Sequence, residues 1–371
     1  MQYSLTTLRY ERQRFLPGVL AVAFSALLIV LQCGLLLGLF AITSIPIDHS
    51  SADVWVGAPE VLSVDLGRPV PEKFLLRVAA MPEVERCEVF LQGFAYWSKP
   101  NGGSELCLVI GSKLEADSLG ALQELTLELR SRLSEPGSIV VDEGDLGRLG
   151  IDGTGDSAEI TNQRVRVVGL VRGLRGLSGP HVFCSIQTAR SVLRLAPEQT
   201  TYVLAKCRHP SDAATVAARL SDYPTMTAFT SEDFSLRSRL HWLTKTKAGI
   251  ALGFAALLGL LVGAVVTSQT LYAATAASLR EYAVLRALGI PRWRMAMAVL
   301  AQSFWVGLAG IGVAIPTVLG VAYGIRNLGA PVMLPPLLLG GAAVVTMAMA
   351  TLSGLAALRS LRLIEPALLL R

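Results

Sequence analysis

The sequence predicts a membrane α-helical protein with four transmembrane helices and a large extracytoplasmic α+β domain in two lobes. Three observations carry this. No charged residue occurs in 15–47, 248–279, 295–325 or 327–358, and each window exceeds the roughly 20 apolar residues that cross a bilayer core as helix. The chain is 52% hydrophobic but only 16% charged, where a typical soluble domain is about 25% charged; its mean hydropathy is +0.51. The polar stretch between the first two windows holds most of the acidic residues. This composition excludes a disordered chain, a collagenous chain and an ordinary cytosolic enzyme. A net charge of +5 is small for 371 residues and calls for no nucleic acid.

The first window follows Arg9, Arg12 and Arg14. Its apolar run is about twice a usual signal-peptide core, and Ala41-Ile42-Thr43 is a poor cleavage site, so it reads as an uncleaved anchor. Orientation follows from the short loops. Arginine sits at 9, 12 and 14, at 280, 286, 292 and 294, and at 359, 362 and 371, whereas the loop between the last two spans carries only Arg326. This asymmetry puts both termini in the cytoplasm and the large domain outside. Arg237, Arg239, Lys245 and Lys247, just before the second span, run against the trend, but long translocated domains are largely exempt from it.

The expected organisation runs in order along the chain: 1–16, a cytoplasmic amphipathic segment; 17–45, the first span; 46–230, the outer domain, with an inserted β-rich lobe at about 135–195. Then come 231–273, a stalk plus the second span; 274–294, a cytoplasmic loop; 295–325, the third span; 326–334, an outer loop; 335–358, the fourth span; and 359–371, a cytoplasmic tail.

In the outer domain, Val54-Trp55-Val56 reads as a strand. Residues 71–81 read as a helix with Leu75, Leu76, Val78 and Ala79 on its apolar side. Residues 84–97 and 106–110 read as a strand pair around Asn101-Gly102-Gly103. Leucine spacing predicts a helix over 119–133. Strands follow at 139–141, 158–160, 165–171, 181–185 and 201–207, with helices at 187–195 and 211–220. Residues 231–247 contain no turn residue and predict a helical stalk continuous with the second span.

Candidate chemistry is sparse. Cys87, Cys107, Cys184 and Cys207 lie in the outer region, where oxidation is possible, and sequence leaves their pairing open. Cys33, inside the first span, reads as an apolar filler. His49, His181, His209 and His241 are scattered, no Cys-x-x-Cys exists, and no metal site or catalytic residue is predicted. Asp142, Glu143 and Asp145 read as a solvated turn. The chain has no P-loop, and Gly153–Ala158 matches Gly-x-Gly-x-x-Ala only ahead of a strand, not a helix. The spans carry no Asp, Glu, Lys, Arg or His, only Gln32, Gln269, Gln302 and some Ser and Thr, which disfavours proton or ion coupling. Gly34/Gly38, Gly259/Gly263 and Gly320/Gly324 allow close helix approach, and Pro316 predicts a local kink.

The most specific segment is the loop 278–291. Ser278 and Glu281 form a capping-box pattern. Gly289 suits a left-handed C-terminal position, and Pro291 prevents continuation. Leu279, Tyr282, Leu285 and Leu288 recur along one side of the short helix so bounded. A helix this short is marginal alone in water and must pack on membrane or partner.

Arg280-Glu281 followed by apolar residues and Arg286-Ala287-Leu288-Gly289 resembles the inner loop of the FtsX/MacB-type ABC transporter permeases. The resemblance covers the whole chain and is closest to DevC-like exporter permeases, which lack a fused ATPase. Gln302 stands where many relatives have Glu. The resemblance implies that Ser278, Leu279, Arg280, Glu281, Tyr282, Leu285, Arg286, Ala287, Leu288 and Gly289 form a coupling helix on a separate ATPase subunit, where ATP binds; the chain itself holds no cofactor. It further implies a homodimer in the bacterial inner membrane and an outer domain of porter-like and sabre-like lobes. A periplasmic membrane-fusion adaptor, and with it an outer-membrane channel, are the implied outer partners. Two other roles share this architecture: an FtsX-like transmitter that activates a cell-wall hydrolase, and a lipid or lipoprotein extraction permease. A membrane-anchored extracytoplasmic enzyme would need a catalytic constellation that the sequence does not display.

Overall fold

The structure is a computed structural model that describes residues 12–100, 102–277, 284, 291–327 and 332–362. Leu39–Ile250 forms one compact unit, and the described residues on either side of it form a second.

The first span lies in α1 (Arg12–Ala41). The outer unit continues through a 3-10 turn, Ile42–Ser44, into α2 (Ile45–Asp48) and β1 (Val54–Gly57). Then follow β2 (Val70–Pro71), α3 (Phe74–Ala79), β3 (Val84–Ser98), β4 (Ser104–Ser112), α4 (Leu127–Leu133), β5 (Ser138–Asp142), α5 (Leu146–Leu149), β6 (Ser157–Ile160), β7 (Gln163–Val171) and β8 (His181–Ser185). The unit closes with α6 (Ile186–Leu193), β9 (Gln199–Thr200), β10 (Tyr202–Cys207), α7 (Ala213–Ser221), β11 (Thr227–Thr230) and α8 (Ser231–Lys245).

The long strand β3 organises both lobes. Its first half pairs with β10, in a four-strand arrangement β11-β1-β10-β3. Its second half pairs with β4 and, at Trp97↔Ile160, with β6, so that β3, β4, β8, β5, β7 and β6 close into a ring. The β-rich lobe therefore begins within β3, not near residue 135. Local strand signals in 84–98 are uniform, and only the change of pairing partner divides them.

Period-2 alternation fills two cores. Leu91, Trp97, Val109, Ile139, Val141 and Val182 share one cluster with Ala189 and Val192 of α6. Phe90, Leu108, Ile110, Val140 and Phe183, one residue out of phase, join the larger core of the other lobe. At its centre Trp55 is fully buried, edge-on to Phe90 at 5.2 Å and to Tyr202 at 5.5 Å between ring centroids. Such pairs contribute about 0.5–1.5 kcal/mol beyond their area.

Three further local readings of the outer domain differ from the structure. The helix expected over 71–81 is only α3, and it buries Phe74 and Val78, not Leu76, which is 73% exposed. Pro71 is taken by β2. The helix expected over 119–133 is only α4, although Leu119, Leu122 and Leu125 are buried as the spacing suggested. The buried carboxylate of Glu88 accepts hydrogen bonds from Ser118 Oγ and the Leu119 N–H, both at 3.0 Å, and holds the preceding segment as turns. Asp142 and Asp145 are buried rather than solvated. The Asp142 side chain accepts from the N–H groups of Gly144 and Leu174, tying a turn to the 172–175 loop.

The membrane unit adds α9 (Lys247–Ala277), α10 (Arg292–Asn327, running through Pro316) and α11 (Pro336–Arg362). The helices long and apolar enough to cross a membrane, among the described residues, are Leu16–Ala41, Gly249–Thr270, Ala296–Ile325 and Pro336–Leu355. Ser25 Oγ donates to the Gly263 carbonyl at 3.0 Å, and Gly259 leaves room for Gln32. The Gly259/Gly263 pair thus serves contact between α1 and α9, while Gly320 and Gly324 face open space.

Candidate functional site: the inner loop and the stalk base

The inner-loop residues Ser278, Leu279, Arg280, Glu281, Tyr282, Leu285, Arg286, Ala287, Leu288 and Gly289 lie outside the described residues. Their flanks are described. The helix α9 ends at Ala277, Val284 is helical and exposed, and the Arg294 N–H bonds the Pro291 carbonyl at 3.1 Å as α10 begins. Trp293 is exposed there, with the Arg294 guanidinium 5.4 Å from its ring.

At the other end of the second span, α8 is fastened to the outer unit along one side. Thr230 caps it, accepting from the Asp233 N–H at 3.1 Å. Phe234, Ser238 and Trp242 follow at intervals of four, hence on one face. Phe234 is buried beside Trp55 and Tyr202 and stacks on Phe229 at 4.9 Å. Ser238 Oγ accepts from the Val64 N–H at 3.0 Å, and Trp242 Nε1 donates to Asp65 Oδ1 at 3.3 Å. Tyr202 Oη donates to the Val64 carbonyl at 2.7 Å, and burial pushes its ionisation well above the ordinary range.

Two of the four cations that opposed the charge rule are structural. Arg237 Nε donates to the Val61 carbonyl at 2.9 Å and lies over Phe229. Arg239 donates to Ser44 Oγ at 2.8 Å and to Asp48 Oδ2 at 2.5 Å. Ser44 in turn donates to Asp48 at 2.6 Å, so the segment after the first span and the stalk before the second are pinned to one another. The only foreshadowing of this fastening in the sequence is the four-residue spacing of Phe234, Ser238 and Trp242. Nothing local marks Asp48 or Asp65.

The stalk is not continuous with the second span. Thr246 adopts extended backbone, φ −98° and ψ 144°, between α8 and α9. Its hydroxyl donates to the Trp242 carbonyl at 2.5 Å and accepts from the Gly249 N–H at 3.0 Å, closing one helix and capping the next. A Cβ at Gly249 would lie 2.0 Å from the Trp242 carbonyl oxygen. No turn residue announces the break, because a threonine hydroxyl performs both caps.

Cys33, Cys87, Cys107, Cys184 and Cys207 are all free thiols. Burial pushes Cys107 up to about 12 and raises Cys184 further. Gly153–Ala158 is a turn entering β6, with Asp156 accepting from the N–H groups of Asp152 and Gly153.

The MacB-like periplasmic core domain family matches residues 19–223, and the FtsX-like permease C-terminal family matches residues 253–366. The chain belongs to the FtsX/MacB-type ABC permease family. Members are membrane-embedded transporter permease subunits that work with an ATPase partner. Among solved structures, the periplasmic region of MacB from Actinobacillus actinomycetemcomitans is similar at 11% identity, covering 51% of this chain and 94% of that one, with a TM-score of 0.35. The extracellular domain of the noncanonic ABC-type transporter YknZ from Gram-positive bacteria matches at 9% identity, 48% and 99% coverage and a TM-score of 0.33. A domain of a putative permease from Porphyromonas gingivalis matches at 13% identity, 52% and 99% coverage and a TM-score of 0.31. No curated protein matches the chain. The inner-loop segment falls within the FtsX-like match, and the stalk-base contacts lie between the two matched regions or in the periplasmic core match.

Proposed function

We propose that this permease is the membrane subunit of an ATP-driven exporter of DevC-like type, acting as a homodimer with two separate ATPase subunits. The inner-loop helix 278–289 docks on the ATPase. ATP binding there closes the dimer, and the stalks carry that motion to the outer domains, which work with a periplasmic membrane-fusion adaptor and an outer-membrane channel. The chain catalyses no reaction and holds no nucleotide. Both its termini lie in the cytoplasm.

The observation that carries this reading is the fastening of α8. Phe234 seats the stalk beside Trp55, and Arg237, Ser238, Arg239 and Trp242 tie it to the segments 44–48 and 61–65. A displacement of the stalk therefore moves the outer unit as a body instead of dissipating in a loose hinge. A homodimer is the commonest closed arrangement of identical chains, and it supplies one coupling helix to each ATPase.

The test places charge in the predicted contact. In Leu285→Asp/Leu288→Asp, recovery and stimulation of the ATPase should collapse, while insertion and dimer mass remain normal because the spans are untouched. Recovery of a fully stimulated ATPase by the double variant overturns the reading. Copurification then separates roles: an adaptor alongside the ATPase supports export, and a cell-wall hydrolase in its place supports the transmitter.

A further inference from the structure

A small cavity inside the outer unit is lined by Asp65, Gln92, His181 and Trp242, with Leu108 and Pro46 among its apolar walls. It has room for about one water-sized particle. Asp65, Gln92 and His181 are 6%, 3% and 2% exposed. Four of their polar atoms have no hydrogen-bond partner: Asp65 Oδ2, Gln92 Oε1, Gln92 Nε2 and His181 Nδ1. A buried polar group left this way costs about 1–3 kcal/mol. All four atoms belong to side chains that line the same cavity.

Of the His181 ring nitrogens, Nδ1 is buried with no hydrogen-bond partner, and it is the one left to the cavity. Asp65 Oδ1 accepts from Ser63 Oγ and Trp242 Nε1, leaving Oδ2 open. Among the described residues no cationic side chain pairs with Asp65. An unpaired buried carboxylate is expensive.

Of the four orphaned atoms three are acceptors, one of them on a carboxylate, and only Gln92 Nε2 is a donor; the excess of acceptors is complementary to a small cation. Imidazole nitrogen favours metals of the zinc class over calcium or magnesium. The hydrogen bonds that Asp65 Oδ1 accepts from Ser63 and Trp242 are of the kind that orient a metal ligand. Among the described residues no three His, Cys, Asp or Glu side chains form a metal-binding group; the third unpartnered acceptor of this cavity is the amide oxygen of Gln92. We propose that this cavity binds one divalent transition-metal ion of the zinc class through Asp65 Oδ2, His181 Nδ1 and Gln92 Oε1. Trp242 is a positioning residue: it holds Asp65 from the stalk, so the ion would join stalk, the 64–66 turn and the β-rich lobe at one point. The site is independent of the export reading.

The test uses the full chain in lipid nanodiscs, without a histidine tag, stripped by chelator and titrated with zinc chloride. One saturable equivalent per chain is expected, with a raised thermal midpoint and a change in tryptophan emission that Trp242→Phe abolishes. Asp65→Asn, His181→Gln and the milder Gln92→Leu should each weaken binding at least about tenfold, and Trp242→Phe by about tenfold. Calcium and magnesium chloride should not bind. His49→Gln, at the half-exposed His49–Glu124 pair, should leave the affinity unchanged. Absence of saturable zinc binding, binding that Asp65→Asn and Gln92→Leu leave intact, or a crystal structure soaked in zinc that shows only water between these atoms would each overturn the proposal.

Discussion

Gly249→Ala sets two effects of opposite sign against each other. Alanine in a helix is favoured over glycine by roughly 0.5–1 kcal/mol, so propensity alone predicts a more stable protein. At Gly249, however, a Cβ would meet the Trp242 carbonyl oxygen at 2.0 Å, the Leu243 carbonyl oxygen at 2.7 Å and Leu243 Cα at 2.8 Å. Ordinary contact begins near 3.4 Å. All three obstacles are backbone, so no rotamer change relieves them, and the last turn of α8 must move by more than about 1 Å. Overpacking of this kind costs about 1–3 kcal/mol. The movement also stretches the Thr246 hydroxyl cap on the Gly249 N–H, itself worth about 1 kcal/mol. The clash wins, and Gly249→Ala should destabilise the outer unit by about 1–3 kcal/mol. ATPase binding should survive, and transport should fall. Thermal unfolding in nanodiscs, followed by tryptophan emission, reads the first effect; ATPase recovery and efflux read the others. Gly147→Ala is the control, since a Cβ there meets nothing within 4 Å and should be neutral or slightly stabilising. A Gly249→Ala protein as stable and as active as the parent would refute the close packing of Gly249 on the end of α8.

Two other outcomes follow from orientation and from the thiols. In a background without native cysteines, an impermeant reagent should label Asp117→Cys from outside and Arg292→Cys only after permeabilisation; the reverse pattern would invert the topology. Asp117 is 70% exposed, whereas its neighbour Ser118 is buried and would report nothing. Non-reducing and reducing gels should agree, because the four outer cysteines are free. Native Cys107 should resist alkylation at pH 8 and react on unfolding. Its folded pKa of about 12 lies above the ordinary value of 9.0, so the stability tied to its protonation is complete below about pH 9. That contribution is lost as pH rises from 9 toward 12, a decline that Cys107→Ala should lessen.

Much of the molecule was visible in one dimension because lipid imposes a one-dimensional rule. A span needs an uninterrupted apolar run, and four such runs, with arginine in the short loops, determine the membrane architecture and suggest its direction. The strands of the outer domain were equally plain, since alternation such as that of Val165 and Val167 is local. The inner-loop pattern is local as well: the residues that predict a cap, an apolar row and a terminal glycine all fall within 14 consecutive positions, 278–291, most of them outside the described residues.

Tertiary structure decided what depends on distant partners. Glu88 reaches across 30 residues to Ser118 and turns an expected helix into loops. The long strand β3 divides between two lobes because β10 claims one half and β4 with β6 the other. Thr246 ends the stalk although nothing beside it is a turn residue, because its hydroxyl serves both helix ends at once. Asp65, Gln92 and His181 are unremarkable where each stands in the chain. They become a candidate site only when the 64–66 turn, β3 and β8 fold around one cavity and bury four of their polar atoms without a partner. Periodicity records which face of an element is apolar; it cannot record which polar atoms the fold will leave facing one another out of reach of water.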